Sequence, residues 1–198
     1  MMIDKGLLRK IELVVFDLDG TLTDDNDQIG DETKSLIKEL TSLGVKFTIA
    51  TGRLLSAVTH HADSLDIKIP LITLDGSLIK RYPTGQNVFE SYLSEEHVLR
   101  ALKLADKYLL KIALCHDYAI FYTEENAMIP LFLDKFGAKY EKISSYEPYL
   151  SKTLEVIICG DYQNSIRHVA SKMMFPWTFG VRSSYYKSQS SSGMYYLE

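Results

Sequence analysis

The feature that most constrains this chain is a largely apolar run, IELVVF at residues 11–16, that leads directly into the acidic stretch DLDGTLTD at residues 17–24. A run of this length, rich in β-branched residues, is typical of a buried strand. Acidic side chains are seldom left in an apolar core without a partner. The stretch therefore predicts a buried strand that ends in an acidic loop at the edge of the core.

Two further apolar runs of strand length follow, at residues 45–50 and 71–74, and a helical pattern separates each pair of runs. Near-continuous apolar strands that alternate with amphipathic helices predict a parallel sheet covered by helices, as in a doubly wound α/β domain. Asp31 is the expected N-cap of the first helix, and Gly44 is its expected end. The first helix is expected to bury Leu36, Ile37, Leu40 and Leu43, and the second Leu54, Val58, Ala62 and Leu65.

From residue 76 onward the pattern changes to short strands and isolated helices, beginning with two strands around a turn at residues 83–85. We interpret this half as an α+β unit with its own antiparallel sheet. The predicted domains are residues 1–83 and 84–198. The expected elements after the turn are helices near 98–109, 128–136 and 165–174, the strands KIALCHD, AIFYTE and LEVIICG, the segment WTFGVRSS, and a hairpin of VRSSYY and MYYLE.

The loop after the first strand carries two aspartates, Asp17 and Asp19, that are two positions apart. In an extended segment such residues project to the same side, about 6–7 Å apart along the chain. Two close carboxylates repel each other unless a cation lies between them, and Mg²⁺ binds through one or two carboxylates together with substrate phosphate. Asx-turns in a solvated loop are the structural alternative. The D-x-D-G-T-L string at a strand end favours the chemical interpretation.

The second strand ends in ATGR, so Thr51, Gly52 and Arg53 follow it directly. A hydroxyl group, a backbone amide at a helix start and a guanidinium together can bind a phosphate. Taken alone this pattern is weak, because Thr-Gly also opens helices as an ordinary cap. Its position one helix after the first motif strengthens it, because ligands of open α/β sheets bind beyond the carboxyl ends of the strands.

Composition narrows the range of partners. A formal net charge of −4 and a pI near 5.8 argue against nucleic-acid binding. The apolar runs are shorter than the ~18 residues of a membrane span, and the N-terminus is too polar for a signal peptide, which favours a cytoplasmic protein with no membrane partner.

Cys115 and Cys159 lie in apolar runs, which favours buried thiols. His60 and His61 fall in a predicted helix without a cysteine or carboxylate at ligand spacing, which favours surface or cap roles over metal binding.

The motifs FDLDGTLTD, IATGR and LDGS, in this order, resemble those of the haloacid dehalogenase (HAD) superfamily, and most closely its Cof-type (subfamily IIB) phosphatases. The resemblance covers the whole chain in order, although only the first motif is highly specific. It implies a Rossmann-like core of three α/β/α layers, with an α+β cap inserted after the third strand. On this basis residues 1–83 form the first half of the core and residues 84–198 form the cap.

The resemblance also implies roles for individual residues. Asp17 would be the nucleophile, and Asp19 would protonate the leaving alcohol and then activate water. Mg²⁺ would be held by the Asp17 carboxylate and the Asp19 backbone carbonyl. Thr51 would bind phosphate, with the Gly52 amide and Arg53 beside it.

Two departures from the family pattern stand out. Asp75 occupies a place where many relatives have asparagine, and a carboxylate is a poor neighbour for a phosphate, so a turn or capping role is an equal alternative. Family members also carry a Lys or Arg and a GDxxND-type motif beyond the cap. The similar string CGDYQN, with Gly160 and Asn164, is better assigned to a cap strand. We therefore expect the chain to lack the C-terminal part of the core.

The sequence thus predicts a Mg²⁺-dependent phosphatase that hydrolyses a small phosphomonoester, such as a sugar phosphate or a similar metabolite, through an aspartyl-phosphate. A phosphotransferase or phosphomutase of the same superfamily is one alternative, because the first two motifs are shared. A catalytically incomplete binding module is the other. The sequence leaves the substrate and the oligomeric state open.

Overall fold

The computed structural model describes residues 10–123, 138–160, 163–173, 185–187 and 195–197. The chain forms two compact units, Met1–Glu90 and Ser91–Glu198. Assignment of residues 1–83 to half of a core domain and of residues 84–198 to a cap stays a prediction. Each unit has its own sheet.

The sheet of the first unit has the strand order β1-β2-β3-β4-β5. Its first three strands are parallel, and β4 and β5 continue it in antiparallel pairing. The predicted α/β fold with a parallel sheet is confirmed, and the predicted pair of short strands around the turn at 83–85 is present as β4 and β5, although they extend the first sheet and do not belong to the sheet of the second half as predicted. The strands are β1 (Leu13–Asp17), β2 (Lys46–Ala50), β3 (Leu71–Thr73), β4 (Leu78–Lys80) and β5 (Asn87–Glu90).

Two helices connect the parallel strands: α1 (Asp31–Ser42) and α2 (Thr59–Ser64), the latter preceded by a 3₁₀ turn at Leu55–Ala57. The N-cap of α1 is Gly30, so the prediction of Asp31 as the cap was wrong by one residue. Asp31 instead lies in the first turn, where a negative charge interacts favourably with the helix dipole.

The predicted apolar stripe of α1 is only partly buried. Ile37 is buried and Leu40 packs against the core, whereas Leu36 and Leu43 are 55% and 74% exposed. Leu43 lies just beyond the last helical residue. The buried core of the first unit comprises Leu18, Leu22, Ile37, Phe47, Ile49, Val58, Ala62, Ile67 and Leu71.

The sheet of the second unit has the order β10-β11-β9-β6-β7-β8, in which only the pair β7 and β8 is parallel among the described strands. Helices α3 (Glu95–Lys107) and α4 (Gln163–Met173) contact β9. The predicted helix at 128–136 and the segment WTFGVRSS lie outside the described residues. The strands are β6 (Lys111–Cys115), β7 (Ile120–Tyr122), β8 (Tyr140–Lys142), β9 (Glu155–Gly160), β10 (Tyr185–Lys187) and β11 (Tyr195–Leu197).

Cys115 on β6 and Cys159 on β9 are both buried, and neither forms a disulfide. This confirms the prediction of buried thiols. Among the described residues, no helix combines the length and apolarity required to cross a bilayer.

Candidate active site

A tight turn follows β1 and presents the two predicted aspartates. Leu18 is fully buried between them, and its carbonyl accepts hydrogen bonds from the amides of Leu22 and Thr23, both at 3.0 Å. Gly20 adopts φ +73°, a backbone conformation that costs glycine little. The turn thus anchors its apolar residue in the core and leaves Asp17 and Asp19 exposed.

The Asp17 side chain is oriented by a neighbour in the same turn. The Thr21 hydroxyl donates a hydrogen bond to Asp17 Oδ2 at 3.2 Å. Asp17 is also the last residue of β1, and it pairs in register with Ala50, the last residue of β2. The acidic turn and the turn that follows β2 therefore emerge side by side at the same edge of the sheet.

The turn after β2 is tied to the turn after β3 by backbone hydrogen bonds. The Thr51 amide donates to the Ile72 carbonyl at 3.0 Å, and the Asp75 amide donates to the Thr51 carbonyl at 3.3 Å. Within the first of these turns, the Arg53 amide donates to Thr51 Oγ1 at 3.1 Å. The buried Thr51 hydroxyl therefore accepts one hydrogen bond and retains its own proton for another acceptor.

Gly52 and Asp75 approach each other closely where these two turns meet. A Cβ atom on Gly52 would lie 3.0 Å from Asp75 Oδ1, so the space for a side chain is already occupied. Asp75 itself has φ +49° and ψ +27°, in the left-handed region that aspartate tolerates better than most residues. These observations fit the turn role that the sequence left open for Asp75.

Arg53 links the two strand ends through its side chain. Its Nε and one terminal nitrogen donate to the two carboxylate oxygens of Asp19 at 3.0 and 2.5 Å. The same terminal nitrogen lies 2.7 Å from Asp27 Oδ1. Burial lowers the pKa of the guanidinium, but the hydrogen bonds to Asp19 and Asp27 outweigh burial and raise the pKa above its ordinary value.

Asp27 completes this network from the loop between β1 and α1. Its Oδ1 accepts a hydrogen bond from Arg53 and also lies 3.2 Å from His61 Nε2. Burial alone would raise its pKa, yet hydrogen bonding and charge from Arg53 leave the pKa below its ordinary range. Burial lowers the pKa of His61, with a further contribution from neighbouring His60.

The structure thus brings Asp17 and Asp19 to the same sheet edge as Thr51, Gly52 and Arg53, while their catalytic and binding roles stay predictions. Sequence reasoning missed Asp27 and His61. No local pattern could have joined them, because 34 residues separate the two in the chain. Their association depends on the path of the loop after β1, where Asp27 adopts φ +60°.

A parallel sheet with an acidic loop after one strand and a Thr-Gly-Arg turn after the next is an open α/β arrangement, in which ligands bind beyond the carboxyl ends of the strands. A family model for haloacid dehalogenase-like hydrolases matches residues 14–176, and the chain belongs to this family. The family predicted from the sequence, with its Cof-type branch, is confirmed.

Individual relatives are consistent with this assignment. The chain is 27% identical over 166 residues to an HMP-PP phosphatase of Escherichia fergusonii, covering 78% of this chain and 57% of the relative. It is 35% identical over 99 residues to a 5-amino-6-(5-phospho-D-ribitylamino)uracil phosphatase of Bacillus subtilis, covering 50% of this chain and 39% of the relative. The chain therefore spans less than two thirds of the length of these curated relatives, 57% of the first and 39% of the second.

The fold agrees with solved structures at low sequence identity. A haloacid dehalogenase-like hydrolase from Bacteroides thetaiotaomicron superposes with a TM-score of 0.75 at 18% identity. The match covers 95% of this chain and 71% of that protein. At this identity the likeness concerns the fold alone, and it confirms the predicted fold class.

Proposed function

We propose that the protein is a Mg²⁺-dependent phosphatase that hydrolyses a small phosphomonoester, such as a sugar phosphate or a similar metabolite, through an aspartyl-phosphate. The observation that carries the proposal is the exposed Asp17 carboxylate at the end of β1, at the same sheet edge as the turn after β2. Membership of a hydrolase family and the phosphatase names of both relatives support it.

Asp17 is the proposed nucleophile. The hydrogen bond from Thr21 orients its carboxylate, and one carboxylate oxygen attacks phosphorus to form a new oxygen–phosphorus bond. The bond between phosphorus and the ester oxygen breaks, and Asp19 gives its proton to the departing alcohol. Water then attacks the aspartyl-phosphate while Asp19 takes up the proton, which releases phosphate and regenerates Asp17.

The oxygen donors at this strand end suit Mg²⁺, which prefers carboxylate and carbonyl ligands and keeps several waters. The Asp17 carboxylate and the Asp19 backbone carbonyl are the groups that would hold it, and the exposure of both residues leaves room for those waters. When bound, the ion supplies the positive charge that lets a carboxylate approach a phosphate dianion.

Thr51 and Gly52 are the proposed phosphate-binding residues. The Thr51 hydroxyl retains a proton for a phosphate oxygen, and the exposed Gly52 offers its backbone amide. Direct binding of phosphate by Arg53 stays a prediction. Its contacts support a positioning role, because a planar guanidinium that bonds both oxygens of Asp19 fixes the plane of that carboxylate.

The test is hydrolysis of an aryl phosphate by this chain with and without Mg²⁺. We expect Mg²⁺-dependent turnover that falls by at least about a thousandfold in Asp17→Asn, because loss of the nucleophile removes the covalent route. Asp25→Asn changes an exposed aspartate of the same loop and should leave turnover within about twofold of the unmodified protein.

Turnover that survives Asp17→Asn without Mg²⁺ would overturn the mechanism. If the unmodified chain binds inorganic phosphate in calorimetry but shows no turnover, the binding-module alternative is correct for this chain. Product analysis separates the remaining alternative: release of inorganic phosphate without an added acceptor supports a phosphatase, and transfer to an alcohol or sugar acceptor supports a phosphotransferase.

A further inference from the structure

Three potential metal ligands converge beside the candidate active site. Asp27 comes from the loop after β1, and His60 and His61 are consecutive residues of α2. One ligand atom from each lies within 4.8 Å of the other two. No local sequence pattern groups these three residues, because Asp27 stands more than 30 residues before the histidines.

Two of the distances between these side chains are close to the ligand spacing of a tetrahedral metal centre. Bonds of 2.0–2.1 Å place neighbouring tetrahedral ligands about 3.3–3.4 Å apart. His61 Nε2 lies 3.2 Å from Asp27 Oδ1, and His60 Nε2 lies 3.6 Å from Asp27 Oδ2. The two contacts end on different oxygens of Asp27, so binding of one ion requires His60 to move, and 55% of the His60 side chain is exposed.

Arg53 connects these ligands to the candidate active site. Its guanidinium contacts the carboxyl groups of both Asp19 and Asp27. The His61 side chain is 4% exposed and its Nε2 lies against Asp27, so packing holds this ring nitrogen within the group. Arg53 also holds Asp27 Oδ1 at 2.7 Å, the kind of outer contact that orients a ligating carboxylate.

We propose that Asp27, His60 and His61 form a binding site for a divalent transition-metal ion of the zinc class, distinct from the Mg²⁺ position at Asp17. Two imidazoles and one carboxylate suit Zn²⁺ or Co²⁺, whereas Mg²⁺ prefers oxygen ligands throughout. Three protein ligands leave the fourth position to water. The site does not rest on the proposed phosphatase activity.

The test is titration of the untagged, chelator-treated chain with Co²⁺ in the presence of millimolar Mg²⁺, followed by visible absorption, with Zn²⁺ calorimetry in parallel. We expect one equivalent of Co²⁺ to bind with the intense bands of a tetrahedral ion, and Zn²⁺ to displace it. His60→Gln removes a half-exposed ligand without opening the core and should weaken binding at least tenfold.

Two further variants make the result decisive. Asp27→Asn should weaken binding as His60→Gln does, whereas Asp17→Asn and His97→Gln should leave the metal affinity within about twofold. Binding that is absent, or that is unchanged by His60→Gln, would overturn the proposal and leave His61 and Asp27 as a hydrogen-bonded pair. Loss of binding in Asp17→Asn would also overturn it, because the ion would then occupy the Mg²⁺ position.

Discussion

At the scale of single residues, Arg53 has the most consequential contacts in the candidate site. Its side chain is 8% exposed and joins Asp19 after β1 to Asp27 in the following loop. Lysine cannot reproduce the fork that bonds both oxygens of one carboxylate. Arg53→Lys should therefore lower the free energy of unfolding by about 1–3 kcal/mol and, if the proposed function holds, reduce kcat by about 10- to 100-fold.

Urea denaturation and aryl phosphate hydrolysis measure the two effects of Arg53→Lys separately. Arg81→Lys is the matched control, because Arg81 is exposed in the turn between β4 and β5, and its substitution should change stability by less than about 0.5 kcal/mol. A variant with unchanged stability would contradict the structural role of Arg53. A stable variant with full activity would contradict its role in positioning Asp19.

We expect buried His116 in the second unit to make the free energy of unfolding depend on pH. Burial lowers the pKa of this histidine from 6.5, and hydrogen bonding of its Nε2 with the Tyr149 carbonyl at 2.9 Å does not reverse the shift. A lowered pKa in the folded state means that the unfolded chain binds the proton more tightly. The contribution of His116 to stability is therefore complete above pH 6.5 and is lost as the pH falls toward its folded-state pKa.

We expect His116→Gln to flatten this pH dependence, because glutamine can still donate to the Tyr149 carbonyl but does not titrate. Urea denaturation at pH 7.5 and 5.5, for the unmodified chain and the variant, measures the difference in slope. His61 contributes in the same direction and is present in both proteins, so its effect cancels in the comparison. Parallel pH profiles for the two proteins would show that His116 is not buried as described.

At the scale of elements, the start of α3 depends on one side chain. Ser94 is the N-cap, and its hydroxyl oxygen accepts a hydrogen bond from the His97 amide at 3.2 Å. Ser94→Ala should lower the free energy of unfolding by about 1 kcal/mol. Ser94→Asp should keep the free energy of unfolding close to that of the unmodified chain, because aspartate also caps helices well. Ser91→Ala, at an exposed position just before the helix, is the control. If urea denaturation gave the same free energy of unfolding for Ser94→Ala and Ser94→Asp, the role of Ser94 as the N-cap would be contradicted.

Elements with strong local patterns could be predicted from the sequence. The runs at 11–16, 45–50 and 71–74 became β1, β2 and β3, with ends that differ by at most two residues, because short runs of apolar and β-branched residues favour strands. Strand β8 was missed. Its three residues Tyr140–Lys142 carry no apolar alternation and are held by parallel pairing with β7, a partner about 20 residues away.

The sequence could predict the positions of those site residues that directly follow a parallel strand. Asp17 and Thr51 each follow a parallel strand, and adjacent parallel strands end at one edge, so their proximity follows from the topology. The direction of the Arg53 side chain does not follow from topology, because a long side chain has several rotamers and its partners lie on other elements. The Asp27–His61 contact likewise depends on the conformation of an irregular loop.

At the scale of the whole molecule, the two sides of β1 have different environments. Val14 and Phe16 pack against the core of the first unit, whereas Leu13 and Val15, on the opposite face, are 49% and 47% exposed. Ile11, just before the strand, is 42% exposed and extends the same row. Strand β1 has apolar residues on both faces, but one of these faces is exposed to solvent in the described structure.

Because only one face of β1 packs against the core, threonine substitutions on its two faces should change the free energy of unfolding by different amounts. Leu13→Thr with Val15→Thr should change the free energy of unfolding by less than about 1 kcal/mol, because threonine keeps β-propensity and little buried area is lost. Val14→Thr should cost about 1–2 kcal/mol, because it places a hydroxyl against the apolar core. An exposed apolar row also promotes association, so sedimentation velocity should show less self-association for the double variant than for the unmodified chain. A large loss of stability in the double variant would mean that the outer face of β1 is covered by packing in solution.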